Sequence, residues 1–111
     1  MKKTILITVD VEDWFQVENF KQHIGFSQWG SSEWRFEKNT CLLLDIFEKQ
    51  KIKATFFILA WNAEHAPELV KEIKAKGHEI ASHGYKHELC TIMSYDELRE
   101  DLLKSKLILS F

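Results

Sequence analysis

The sequence predicts an α/β protein in which about three strand–helix units lay down a short parallel sheet. Two observations carry that expectation. Runs rich in β-branched and aromatic residues (TILITV, ATFFILA, HEIAS) alternate with stretches of helical periodicity along the 111 residues. Such alternation places crossover helices on a parallel sheet. No Gly/Pro-rich linker and no internal repeat breaks the pattern.

The elements can be justified in order. Residues 4–9 (TILITV) form a short run bounded by charges, as expected of a strand buried on both faces. Residues 12–37 follow as a long polar and aromatic stretch containing Gly25, Gly30, Ser31 and Ser32. A connection of that length inside a compact domain is usually a functional loop. Asn39 and Thr40 precede CLLLDIFEKQ, which reads as a capped helix with Leu43, Ile46 and Phe47 on one face. ATFFILA is the second strand. AEHAPELVKEIKAKG reads as a second helix, with Pro67 in its first turn, Leu69, Val70 and Ile73 on its buried face, and Gly77 at its C-cap. HEIAS is a short third strand. Ser94 then caps a third helix, with Glu97 at the capping-box spacing and Leu98, Leu102 and Leu103 as its apolar stripe.

Composition bounds the function. Hydrophobic residues make up 45% and charged residues 29%, the balance of a soluble globular domain. A formal net charge of -2 with no basic block argues against nucleic acid as a partner. Four Trp, two Tyr and eight Phe suit a sugar-stacking cleft or a well-packed core equally. Cys41 and Cys90 lie far apart and outside any CxxC spacing, so they are expected to be reduced, partly buried thiols. The start MKKTILITVDVED superficially resembles a signal peptide, but its apolar run is too short and ends on acids. No stretch approaches a transmembrane span, and cytoplasmic residence is the expectation.

Length adds a further expectation. A complete βα barrel takes roughly 250 residues for eight units, or about 31 per unit. Residues 1–111 then hold about three units of one domain that is truncated at its C-terminus, after the apolar LILSF. A three-stranded parallel sheet leaves exposed edges. A homodimer or a complementing C-terminal half are the partners such edges invite.

Chemistry-bearing residues cluster at two places. The first strand runs into Asp10-Val11-Glu12-Asp13, and the third into Ser82-His83-Gly84-Tyr85-Lys86-His87. In parallel α/β folds ligands bind at the C-terminal ends of strands, which would set both clusters on one rim. Two imidazoles four residues apart plus a carboxylate from a neighbouring strand would make a divalent-metal site with open positions, the catalytic type. Each cluster alone also has a bland reading: a His pair is a weak signal, and acids after a strand commonly form a solvated loop or a helix cap. His78 reads as structural, and His23 and His65 carry no assigned role.

TVDVEDWF, ATFFILAW and GHEIASHGYKH resemble the opening blocks of the polysaccharide deacetylases with a NodB homology domain (carbohydrate esterase family 4), in particular the exopolysaccharide-associated branch that begins with a DVEDWF-type motif. The similarity runs from about Thr4 to Lys106. It implies that the fold is the N-terminal portion of a distorted (β/α) barrel. It also implies one divalent metal ion, zinc first and cobalt or nickel as alternatives, and hydrolysis of N-acetyl groups on a hexosamine polysaccharide or oligosaccharide. By the same resemblance Asp10 is the general base, and His83 and His87 ligate the metal with one acid. The family usually places two aspartates side by side and this chain does not; Asp13 is preferred as that acid, because aspartate is the usual ligand and Glu12 is longer than the site normally takes, and Glu12 is the alternative. A backbone N–H near Tyr85 would stabilise the oxyanion. Trp14, Tyr85 and Arg35 are candidates for binding substrate, although Arg35 could instead pair with a nearby acid. Phe15, Trp29 and Trp34 could stack on sugars or fill a core. The later family motifs, which supply an Arg that orients the base and a His that protonates the leaving amine, have no counterpart after Lys106.

Overall fold

The computed structural model describes residues 2–110. Three strands, β1 (Thr8–Val11), β2 (Thr55–Ile58) and β3 (Glu79–Ser82), lie side by side in that order and all run parallel. The register aligns Asp10 with Phe57 and Ala81, and Val11 with Ile58 and Ser82. Side chains alternate between faces along a strand. Val9, Val11, Phe56, Ile58 and Ile80 accordingly join the helices in one core with Leu44, Phe47 and Ile73. Thr8, Asp10, Thr55, Phe57, Glu79 and Ala81 share the opposite face.

The first strand begins four residues later than TILITV predicts and includes part of the acidic motif. Pairing with β2 sets this: Thr55 N–H bonds the Ile7 carbonyl at 3.0 Å and Leu59 N–H the Val11 carbonyl at 3.4 Å. Ile5 and Leu6 fall outside that ladder and stay 84% and 85% exposed, so the run is not buried on both faces.

Helix α1 (Phe36–Gln50) starts ahead of Asn39-Thr40, and Thr40 is buried within it. Its N-terminal amides are satisfied by a distant residue. Asp13 Oδ2 accepts from the N–H groups of Arg35 at 2.6 Å and Phe36 at 2.8 Å. The earlier start also rotates the buried face to Phe36, Thr40, Leu44 and Phe47, leaving Ile46 exposed.

The expected second helix is two, α2 (Ala60–His65) and α3 (Pro67–Ala75), broken at Ala66 with φ -138° and ψ 61°. Pro67 has no N–H to continue the α2 ladder, and it disfavours helical geometry in the residue before it. Beyond Pro67 the expectations hold: Leu69, Val70 and Ile73 are buried, and Gly77 follows the helix at φ 86°, a left-handed conformation suited to glycine.

Helix α4 (Tyr95–Leu109) begins on the expected capping box. Ser94 Oγ accepts from Glu97 N–H at 3.2 Å, and Glu97 Oε2 accepts from Ser94 N–H at 2.9 Å. Its buried residues are Ser105 and Leu109, whereas Leu102 and Leu103 are exposed, so the expected stripe does not face the core.

The long first loop folds into three short 3-10 turns, Trp14–Gln16, Glu18–Phe20 and Phe26–Ser31. They wrap a second core of Phe15, Trp29 and Trp61, in edge-to-face contacts such as Trp29–Trp61 at 5.3 Å between ring centroids. Both cysteines are free thiols; Cys41 is half-buried and Cys90 exposed, further out than expected. Among the described residues no helix is long and apolar enough to cross a membrane.

Candidate metal centre

Glu12 continues the alternation of β1 one residue past its end, and this decides which acid meets the histidines. Val11 and Asp13 are buried at 2% and 4% exposure on the helix side, while Asp10 and Glu12 take the other parity. His83 has the matching parity beyond β3, and its N–H donates to the Ile58 carbonyl at 3.0 Å. Glu12 and His83 therefore approach each other over the end of β2, from strands about 10 Å apart.

Glu12, His83 and His87 each offer a ligand atom, all within 4.8 Å of one another. Glu12 Oε2 lies 3.0 Å from His87 Nε2 and 3.4 Å from His83 Nε2. The contacts do not have hydrogen-bond geometry: Glu12 Oε2, His83 Nε2 and His87 Nδ1 are buried atoms without a hydrogen-bond partner among the described residues. Such orphans are costly unless a group from outside the polypeptide satisfies them. One carboxylate and two imidazoles that converge here, with Glu12 Oε2 and His83 Nε2 unpartnered, fit a divalent cation. His87 adopts φ 58°, unusual outside glycine, and Gly84 stands at φ 81°. Together they turn the loop so that the second imidazole comes back to the first, with ring centroids 5.1 Å apart.

Asp13, the acid preferred from sequence, is occupied elsewhere. Its Oδ1 accepts from Trp14 N–H at 2.8 Å while its Oδ2 caps α1, so the bland helix-cap reading applies to this residue. The cluster contains Glu12 in its place. Asp10 is exposed on the Glu12 side of β1, in a cleft of about 260 Å³ that Trp14 and Arg35 also line. Trp14 is held by a bond from its indole N–H to the Glu33 carbonyl at 3.0 Å. Arg35 pairs with Glu33 at 3.0 Å, one of the two roles anticipated for it.

Tyr85 is packed on the aromatic cluster, with its hydroxyl donating to Glu64 Oε2 at 2.8 Å. Burial, then that bond to a carboxylate, push its phenol up to about 12, which keeps it protonated. Its backbone N–H, in the stretch where an oxyanion donor was expected, donates to Asp101 Oδ2 at 3.3 Å. Phe15 and Trp29 are core residues, whereas Trp34 is 38% exposed. His78 is buried with its Nδ1 accepting from Ala54 N–H at 3.1 Å, the structural role anticipated. His65 stacks on Trp61 at 3.9 Å.

Sequence reasoning missed Gln16 and Asn62, both buried beside the acidic motif. Gln16 had a signal: Asp13-x-x-Gln16 is a capping-box spacing, and the box is present. Asn62 had none.

A family model for polysaccharide deacetylases matches residues 2–110. The chain belongs to the polysaccharide deacetylase family. A peptidoglycan-N-acetylglucosamine deacetylase of Bacillus cereus is 40% identical over 68 residues, covering 61% of this chain and 25% of that protein. A chitooligosaccharide deacetylase of Bradyrhizobium is 30% identical over 61 residues, covering 55% of this chain and 28% of that protein. The solved structure of the peptidoglycan deacetylase PdaC from Bacillus subtilis superposes with a TM-score of 0.71 at 23% identity, over 96% of this chain and 42% of that one. The three parallel strands and their helices thus match part of the deacetylase fold, and the matched segments span about a quarter of the two curated relatives.

Proposed function

We propose that this polysaccharide deacetylase chain contributes the metal-binding segment of an amide hydrolase that removes N-acetyl groups from a hexosamine-containing polysaccharide. The observation that carries the reading is the convergence of Glu12, His83 and His87, with buried ligand atoms left unpartnered. Zinc suits two imidazoles and one carboxylate with open positions, and cobalt or nickel would substitute. When bound, such an ion supplies Lewis-acid activation of water and of the acetyl carbonyl.

The chain's own residues supply the rest of the proposal. Asp10, on the Glu12 side of β1 and in the same cleft, takes the proton of the attacking water as general base. Trp14 offers an aromatic face, 37% exposed, to a sugar ring at the cleft wall. Arg35 stands beside it, its guanidinium 5.7 Å from the Trp14 ring centroid. The relatives act on peptidoglycan and on chitooligosaccharides by name, and the DVEDWF-type resemblance adds an exopolysaccharide to the polymers worth testing.

A second reading, binding without turnover, draws on the same site. One experiment separates the two. Zinc binding is measured by calorimetry on metal-stripped protein and on Glu12→Ala, His83→Ala and His87→Ala. Acetate release from chitin oligomers, peptidoglycan and an acetylated exopolysaccharide is then measured on the zinc form and on Asp10→Asn. Binding of one zinc, lost in the three ligand variants, with acetate release lost in Asp10→Asn, is the expected result. Zinc binding without release leaves the binding reading, and no zinc binding overturns both.

A further inference from the structure

We infer that the buried amide pair Gln16–Asn62 positions Glu12 for the metal centre, with the first turn of α2 as the frame that sets both ligand-bearing segments relative to each other. The inference rests on the metal centre proposed above and names residues that hold it in place.

Glu12 Oε2 has no hydrogen-bond partner among the described residues, so the aim of this side chain depends on the backbone that carries it. Both peptide units flanking Glu12 are held by the amide pair. Ahead of it, the Val11 carbonyl accepts from Asn62 Nδ2 at 3.0 Å. Behind it, the Asp13 N–H donates to Gln16 Oε1 at 2.7 Å. The two side chains are joined to each other, Gln16 Nε2 donating to Asn62 Oδ1 at 2.6 Å and Asn62 Nδ2 to Gln16 Oε1 at 3.0 Å. The Asp13 N–H requires an oxygen in front of it, which fixes the Gln16 amide, and the Gln16 amide then fixes that of Asn62. Both residues are buried, at 0% and 1% exposure. A buried, mutually satisfied amide pair is rigid, because breaking any bond leaves a dry polar group behind.

The same turn of α2 grips the histidine loop. Ala60 N–H donates to the Gly84 carbonyl at 2.8 Å and Trp61 N–H to the Tyr85 carbonyl at 3.1 Å. Consecutive residues Ala60, Trp61 and Asn62 thus bond the backbone beside His83 on one side and beside Glu12 on the other. Gln16 and Asn62 are positioning residues: their hydrogen bonds go to the backbone around Glu12 and to each other.

The test compares zinc affinity and the visible spectrum of the cobalt(II) form in wild type, Asn62→Leu, and Ile73→Val, a core truncation in α3. Leucine keeps the branched shape of Asn62 without its hydrogen bonds. Loss of a supporting partner typically weakens metal affinity by about tenfold to a hundredfold. Asn62→Leu should show such a loss and an altered cobalt spectrum, and Ile73→Val neither. A folded Asn62→Leu with wild-type affinity and spectrum overturns the inference alone. An equal affinity loss in Ile73→Val at similar melting temperature also overturns it, because stability would then explain the effect. Absence of zinc binding in wild type overturns the metal centre and the inference with it. Should Asn62→Leu not fold, the side-chain amide resonances of Gln16 and Asn62 in the wild-type NMR spectrum decide. They are expected to shift on zinc addition, and unshifted resonances overturn the inference.

Discussion

Glu12 and His87 meet with a carboxylate oxygen 3.0 Å from an imidazole nitrogen, although they reach the rim from opposite edges of the three-stranded sheet. That meeting has a consequence for stability. A cation that binds only the folded arrangement stabilises it by about 2.7 kcal/mol when free metal is a hundred times the dissociation constant. For a domain of this size the gain corresponds to a rise in melting temperature on the order of 10 °C. Zinc should produce it, a chelator should reverse it, and His87→Ala should abolish it, all read by thermal melts.

Asp13 and Glu12 are adjacent acids with separable roles, which gives a second expected outcome. Asp13 caps a 3-10 turn and the amino end of α1 with one carboxylate. Removing a cap costs roughly 1–2 kcal/mol, and here two ends lose theirs. Asp13→Ala should therefore lower the melting temperature of the metal-free protein more than Glu12→Ala does. Glu12→Ala should be the variant that abolishes zinc binding outright. The reverse ranking would restore Asp13 as the ligand.

Much of this was legible in the sequence, and the misreadings have specific physical origins. The strand–helix alternation, the Ser94–Glu97 box, the Gly77 stop and the rim placement of the two histidines all follow from local chemistry. Choosing between Glu12 and Asp13 needed the parity of β1, and that depended on where pairing with β2 begins, a non-local fact. Had β1 been placed at Thr8–Val11, Asp10 and Glu12 would have fallen on one side and Asp13 on the other. The start of α1 was hidden for the same reason, since its cap arrives from Asp13 rather than from Asn39 or Thr40. The break at Ala66 was readable from Pro67 but was absorbed into one long periodic stretch.

The reach of Glu12 yields a third expectation. Its longer side chain counted against it as a ligand in sequence terms, yet it lies across the end of β2 from His83. Glu12→Asp keeps the charge and withdraws the carboxylate by about one C–C bond, so zinc affinity should fall at least tenfold while the fold persists. Calorimetry beside circular dichroism distinguishes this from unfolding. Unchanged affinity would mean that the backbone, and not the arm, absorbs the distance.

The two cysteines should differ in reactivity. Burial, then the nearby carboxylates of Glu72, Glu37 and Asp45, raise the Cys41 thiol and keep its thiolate scarce. Cys90 is exposed on the segment between the histidine loop and α4. A thiol reagent at neutral pH should modify Cys90 promptly and Cys41 more slowly, as mass spectrometry after short exposure would show. Equal labelling would contradict the packing of Cys41 against the core.

His78 should make the fold sensitive to mild acid. Burial, reinforced by the cations of Lys53 and Lys76, lowers its pKa from the usual value near 6.5. Its Nδ1 accepts the Ala54 N–H, and the rings of Phe47 and Phe56 lie 5.9 and 5.1 Å from its own, so the folded state holds the neutral imidazole. The unfolded chain takes up the proton first as pH falls through about 6.5, and stability must then decline. The contribution is complete above that pH, and it is lost progressively until the folded pKa is passed. Melting temperatures of the metal-free protein between pH 7.5 and 5 should therefore fall more steeply in wild type than in His78→Gln. That variant keeps a hydrogen-bonding group but cannot titrate. Parallel profiles in the two proteins would show that His78 takes up its proton as readily in the folded state as in the unfolded chain, against the acceptor role its Nδ1 occupies.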